Sequence, residues 1–230
     1  MPTPRTPEDI VAKKAFMNAY FDDALKRVAF VERLAANGQK VESLTLCLVY
    51  LDGFSQYLRW PRREIGRNFV ETLCSNDRIG FLSRIHLLQL MRAFNEMKGS
   101  WPPRAKILRR LWPGPTYSLM SRIEASNAIT ESFSSKKVAE ILSELWRGTV
   151  AAAAYDWMRN RSVHGFGTAQ YITFDMTRYK GKAIPPLGLE SLLRPLRAMI
   201  TELRRRSLER CEWFGDDRII QGDDGSGDIV

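Results

Sequence analysis

Residues Val41 to Leu58 read as a helix that is apolar nearly all the way round in its first half, through Leu44, Leu46, Leu48, Val49 and Leu51. A helix of that kind is covered on every side rather than laid on a surface. This segment sets the expected architecture: helices packed in layers around a central one. Other segments supply the neighbours. Thr6-Pro7-Glu8-Asp9 has a capping hydroxyl, a proline for the first turn and acids for the positive end of the dipole, so it starts an N-terminal helix that Asn37-Gly38 stops. Trp60-Pro61 ends the central helix, and Arg62 to Leu73 makes a shorter third one. Ser75-Asn76-Asp77 is expected to cap a fourth, carrying Ile79, Leu82, Ile85, Leu87, Leu90 and Phe94. A long helix is expected over about Lys136 to Val163, and its small side chains from Thr149 to Ala154 permit close helix–helix approach. A last helix, about Leu189 to Glu212, sets Leu192, Leu196, Met199, Ile200 and Leu203 on one face. Before it the period changes to two, with Tyr171, Thr173 and Asp175 alternating with Ile172, Phe174 and Met176. Lys180-Gly181-Lys182 then turns the chain and Ala183-Ile184-Pro185 returns it, as a small hairpin.

The expected fold class is therefore all-α with a β-hairpin inserted before the last helix. Length places 230 residues in one domain, over 1–215, with an N-terminal helix at 6–38 and a core at 41–212. Residues 216–230 are acidic and glycine-rich and read as a disordered tail. No internal repeat of 20–50 residues is visible.

Charge narrows the partners. The chain carries 35 Lys and Arg against 26 Asp and Glu, net +9. The last fifteen residues hold five acids and one base, which leaves 34 bases and 21 acids before them, net +13. Such a body suits a polyanion, nucleic acid before membrane, or is simply well solvated. No apolar run approaches ~18 residues, so no membrane span is expected. No secretory signal is visible, and Cys47, Cys74 and Cys211 form no CxxC pair, so neither a disulfide framework nor a metal site is expected and a reducing cytoplasm is the default. Basic residues cluster in two places. Lys98 to Pro115 holds Arg104, Lys106, Arg109 and Arg110 between Trp101 and Trp112, with no acid. It either grips a nucleic-acid backbone or is a solvated segment whose tryptophans anchor it to the core. The last helix carries Arg194, Arg197, Arg204, Arg205, Arg206 and Arg210 away from its apolar face, and Arg204 and Arg205 are the expected RNA contacts.

The chemistry-bearing motifs are few. GxSxG, Walker A, the Rossmann glycines and HExxH are all missing. His86 lies among Ile85, Leu87 and Leu88 and reads as a structural histidine on an apolar helix face. His164 stands at an expected helix end, in Arg159-Asn160-Arg161-Ser162-Val163-His164-Gly165-Phe166-Gly167. That passage resembles the HEPN superfamily of all-helical domains, whose mark is an arginine, four to six residues, then a histidine, often with a polar residue after the arginine. Asn160 occupies the polar place. The long helix before, the glycine after, the hairpin and the last helix extend the resemblance over about Val41 to Arg210. It implies a HEPN-like bundle acting as a dimeric, metal-independent endoribonuclease, often a toxin or antiviral effector. One departure stands out. Where a subset of the family has a tyrosine two positions after the histidine, which a partner nucleotidyltransferase modifies, this chain has Phe166, so that mode of control is not expected.

The residue types suit the reaction on their own account. Metal-free RNA cleavage drives the substrate's own 2′-OH onto the adjacent phosphorus. It needs a group that trades protons near neutral pH, the role of His164, and a fixed cation for the phosphorane, the role of Arg159. Asn160 would hold the geometry. Arg161 either binds phosphate or is solvated. Asp52, an acid in an apolar helix, would orient Arg159 or Arg161, or pair with another base. Spacing is the difficulty: five residues turn an ideal helix by about 500°, which leaves the two side chains about 140° apart. They converge if the helix ends between them or a second copy completes the site. The expected function is cleavage of single-stranded RNA or tRNA by a homodimer without cofactor, restrained by an antitoxin or released by an activating partner. The alternative is a non-catalytic helical module that binds nucleic acid or protein through its arginine-rich last helix.

Overall fold

The structure is a computed structural model. It describes residues 6–58, 65–97, 99, 101–111, 119–159, 178–179, 182–183 and 188–213, with backbone alone for 65, 88, 111, 157–159 and the residues of the 178–183 hairpin. The N-terminal 1–5, the tail 216–230 and most of 160–187 lie outside the described residues.

Nine α-helices are present among the described residues. Helix α1 (Pro7–Ala36) opens on the expected cap: the Thr6 hydroxyl accepts from the Asp9 N–H, and Asp9 reaches back to the Thr6 N–H. Gly38, at φ +82°, turns the chain into α2 (Lys40–Leu58). Helix α2 is central as expected, packed on α1, on α3 (Ile65–Asn76) and on the last helix, α9 (Leu189–Arg210), though Val49 stands 42% exposed on its outer side. Together with α8 (Val150–Ala153) these helices bury the larger of two apolar clusters, around Phe21, Leu48, Leu51, Phe69, Leu196 and Ile200. Cys47 lies within it, and burial raises its thiol pKa, so it is an inert core residue. The second cluster joins α4 (Leu87–Glu96), α5 (Trp101–Leu111), α6 (Arg122–Ser132) and α7 (Ser135–Ser143) around Leu90, Phe94, Leu108 and Ile129. No helix among the described residues is long and apolar enough to cross a membrane.

Two expectations are corrected. The fourth helix does not begin at Ser75-Asn76-Asp77. Helix α3 runs on to Asn76, and the Asp77 carboxylate accepts from the N–H groups of Ile79 and Leu82, at 3.1 and 2.6 Å. An aspartate that binds loop N–H groups offers the backbone an alternative to helix, and residues 77–84 take it, with Gly80 at φ +71°. Strand β1 (Ile85–His86) follows, antiparallel to β2 (Leu119–Met120), and only then α4. His86 is structural, but as a cap rather than on a helix face. Its Nδ1 accepts from the Gln89 N–H at 3.2 Å, and burial holds its pKa low, in the neutral form that can accept.

The second correction concerns the long helix expected over 136–163. It is four pieces: α7, a 3₁₀ turn (Leu145–Gly148), α8 and a π turn (Ala154–Arg159). The break has a cause. At Gly148 an added Cβ would stand 2.7 Å from Leu90 Cβ and 3.2 Å from Ile85 Cγ2. Thr149 then adopts an extended conformation and caps α8, accepting from the Ala152 N–H and donating to the Trp146 carbonyl. The N–H groups of Val150 and Ala151, which a helix start leaves without partners, donate to the carbonyls of Arg84 and Leu82 at 3.0 Å each. The expected hairpin before the last helix is present as β3 (Arg178–Tyr179) and β4 (Lys182–Ala183), paired across residues 180–181. The strand expected over Tyr171–Met176 lies outside the described residues.

Gly148 supplies a test of this junction. Gly148→Ala should lower the unfolding free energy by about 1–3 kcal/mol, since the methyl overpacks a closed core. Gly53, in the middle of α2, has nothing within 4 Å of an added Cβ. Gly53→Ala should raise stability by about 0.5–1 kcal/mol. Urea unfolding of both variants measures the contrast, and a Gly148→Ala protein as stable as the parent would refute the account.

Candidate functional site

The π turn is where the expected catalytic motif begins. Its first residue, Ala154, is fully buried, and the small side chains of Ala151 to Ala154 sink this stretch into the core. The turn is then held from two sides. Tyr155 packs on Phe69, with ring centroids 5.2 Å apart, and its ring edge fills the space a side chain at Gly66 would need, 2.9 Å from the ideal Cβ. Asp156 points the other way, onto α4, where Gln89 Nε2 donates to its Oδ2 at 2.7 Å. A π turn inserts one residue into the helical register and is frequent at functional sites. This one ends on Arg159.

Arg159 therefore sits at the last position of a turn fixed by Tyr155 and Asp156, with its backbone alone described. Asn160, Arg161 and His164 lie outside the described residues. Asp52 is half-buried on α2, and α2 packs directly against the π turn, so the acid's helix adjoins the motif's starting point.

The electrostatics around Asp156 are unusual for a surface turn. Burial raises its carboxyl pKa, opposed by the Gln89 hydrogen bond and the Arg92 charge. Arg92 pairs with Glu96 at 2.7 Å. Arg147 pairs with Glu144 at 2.6 Å, its guanidinium 4.4 Å above the Trp146 ring. Gln89 and Asp156 carried no functional reading in the sequence. Among the described residues no three His, Cys, Asp or Glu side chains come together as a metal site would require.

The arginines of α9 are largely occupied. Arg204 donates to Asn18 at 2.9 Å and to Asp22 at 2.8 Å, both on α1. Arg205 bridges Glu202 and Glu209, Arg206 binds Glu202, and Arg197 pairs with Glu32. The hydrogen bond from Arg205, with help from Arg206, holds the Glu202 carboxyl down to about 2. The α5 segment differs. Arg104 is buried against the Trp101 ring, 4.5 Å from its centroid, and pairs with Glu140 of α7 at 2.5 Å. Trp101 itself packs edge-on to Phe94, so this tryptophan anchors the segment to the core. Lys106, Arg109 and Arg110 are exposed, and no carboxylate among the described residues pairs with them. Trp112 lies outside the described residues.

No protein-family model, curated protein or solved structure matches the chain.

Asp156 yields a pH test. Its folded-state pKa is above its ordinary value. The stability it contributes is thus present at low pH and lost as pH rises from the ordinary aspartate range through the raised value. Asp156→Asn keeps an acceptor for Gln89 and never ionises. Its melting temperature should exceed the parent's at pH 7, with the gain vanishing near pH 3. A constant offset across that range would show that the carboxyl is not desolvated.

Proposed function

We propose that the chain is a HEPN-like, metal-independent endoribonuclease that cleaves single-stranded RNA or tRNA in the cytoplasm, as a toxin or antiviral effector. One observation carries the reading: regular α geometry stops at Ala153, and a π turn anchored by Tyr155 and Asp156 delivers Arg159 at its end.

In the reaction His164 takes the proton from the 2′-OH. The 2′-oxygen bonds to phosphorus, the bond to the 5′-oxygen breaks, and that oxygen leaves with a proton. The products are a 2′,3′-cyclic phosphate and a 5′-hydroxyl. Arg159 neutralises the additional charge on the phosphorane with a forked set of donors, and Asn160 orients the pair. A two-fold dimer would bring two copies of the motif to one cleft and supply a second histidine. An unrestrained ribonuclease would harm its host, so an inhibiting or activating partner belongs to this reading.

The test is cleavage of total RNA and tRNA. Activity should persist in EDTA, spare DNA, which has no 2′-OH, and leave cyclic phosphate ends. His164→Ala should reduce the rate by about 10²–10⁴-fold. Arg159→Ala should cost about 10²–10³-fold. Mixing the two variants should restore activity once subunits exchange. RNA bound but never cut would leave a binding module instead.

A further inference from the structure

We propose that single-stranded RNA is bound on the acid-free outer side of α5, by Lys106, Arg109 and Arg110, and not by the arginines of α9. The proposal rests on the reading that the chain acts on RNA, and it names where that substrate lies.

The contrast between the two basic helices carries it. Helix α9 has six arginines and three acids of its own, Glu190, Glu202 and Glu209. Four of the six are engaged by carboxylates, two of these, Asp22 and Glu32, reaching across from α1. A phosphate approaching that face would have to displace carboxylates already in place, and few counterions wait there to be released. Helix α5 has four cations and no acid. Its one ion pair among the described residues joins the inward-turned Arg104 to Glu140. The remaining three cations project into solvent within one helical turn, from Lys106 to Arg110, a rise of about 6 Å. That spacing suits consecutive phosphates of one strand. Ile107, 40% exposed, borders them on one side. In a duplex the bases are stacked away from such a side chain, whereas an unpaired base can lie on it.

Two further contacts place this surface. The Arg104–Glu140 pair fixes the inward side of α5 against α7, which leaves Lys106, Arg109 and Arg110 on the opposite, outward side. Helix α4 lies between α5 and the π turn. It contacts Trp101, at the start of α5, through Phe94 and holds Asp156 through Gln89. RNA on the outer side of α5 thus lies two interaxial steps, about 16–20 Å between axes, from the chain that leads into Arg159.

The experiment measures binding of a fluorescein-labelled twelve-nucleotide single-stranded RNA to the full chain by anisotropy, from low to high salt. Three proteins are compared: the parent, Lys106→Ala/Arg109→Ala/Arg110→Ala, and Arg204→Ala/Arg205→Ala/Arg206→Ala. The α5 triple should weaken binding at least tenfold at low salt and flatten the slope of log K against log[salt] by about 2, since each single-strand contact contributes about 0.7. The α9 triple should bind within twofold of the parent with the same slope. Lys106→Arg should bind as the parent does, which separates charge from folding, and far-UV circular dichroism checks that each variant is folded. Loss confined to the α9 triple overturns the proposal. So does RNA binding that neither triple changes, absence of RNA binding by the parent, or binding by α5 to phosphatidylserine vesicles in place of RNA. The ribonuclease reading fails separately: a parent chain that binds RNA through α5 and never cleaves it keeps this surface and loses that reaction.

Discussion

The fold depends on one backbone junction. The carbonyls of Leu82 and Arg84 accept the first two N–H groups of α8, while Ile85 pairs with Thr149 on one side and with Met120 on the other. A buried helix start without such partners would leave donors unsatisfied at about 1–3 kcal/mol each. The junction is also the seam between the two apolar clusters, since Leu82 and Ala151 belong to one and Ile85 to the other. Gly148 is the residue that makes the approach close enough. This contact sets the start of α8, from which the π turn and Arg159 follow.

Local signals were legible where capping chemistry decides. The Thr6–Asp9 box, Gly38 and the limits of α2 follow directly from residue type. So does the all-α class. Helix α6 is marked in the sequence only by its cap, the full box of Ser121 and Glu124, because the apolar period over it is weak. The failures share a cause. Asp77 looks like a helix cap because aspartate's preference for backbone N–H groups is the same in a cap and in a loop. Gly148 and Thr149 are poor helix formers, but the place and form of the break are imposed by Leu90 and Ile85 from elsewhere in the chain. Asp156 gave no signal at all: its partner Gln89 is 67 positions away.

Counting cations proved less informative than asking which are already spoken for. By number of arginines α9 is the more basic helix. By charge left after pairing α5 is, because acids on α1 and α9 itself offset most of the former. Composition cannot make that distinction, since it depends on which helices become neighbours.

The larger apolar cluster has one further consequence, for synthesis. It is assembled from the two ends of the chain: Phe21 and Val28 of α1 and Leu48 of α2 are covered by Leu196, Met199 and Ile200 of α9. The left-handed conformation of Cys211, at φ 52°, turns the chain so that Trp213 closes over Tyr20 and Phe16. During vectorial translation α1 and α2 emerge with that face uncovered, and about 150 residues are added before its lid exists. At about 5–20 residues per second the wait is on the order of ten to thirty seconds. Over that interval the nascent chain is a sticky helical hairpin, and the bundle can act as a whole only after α9 has been made.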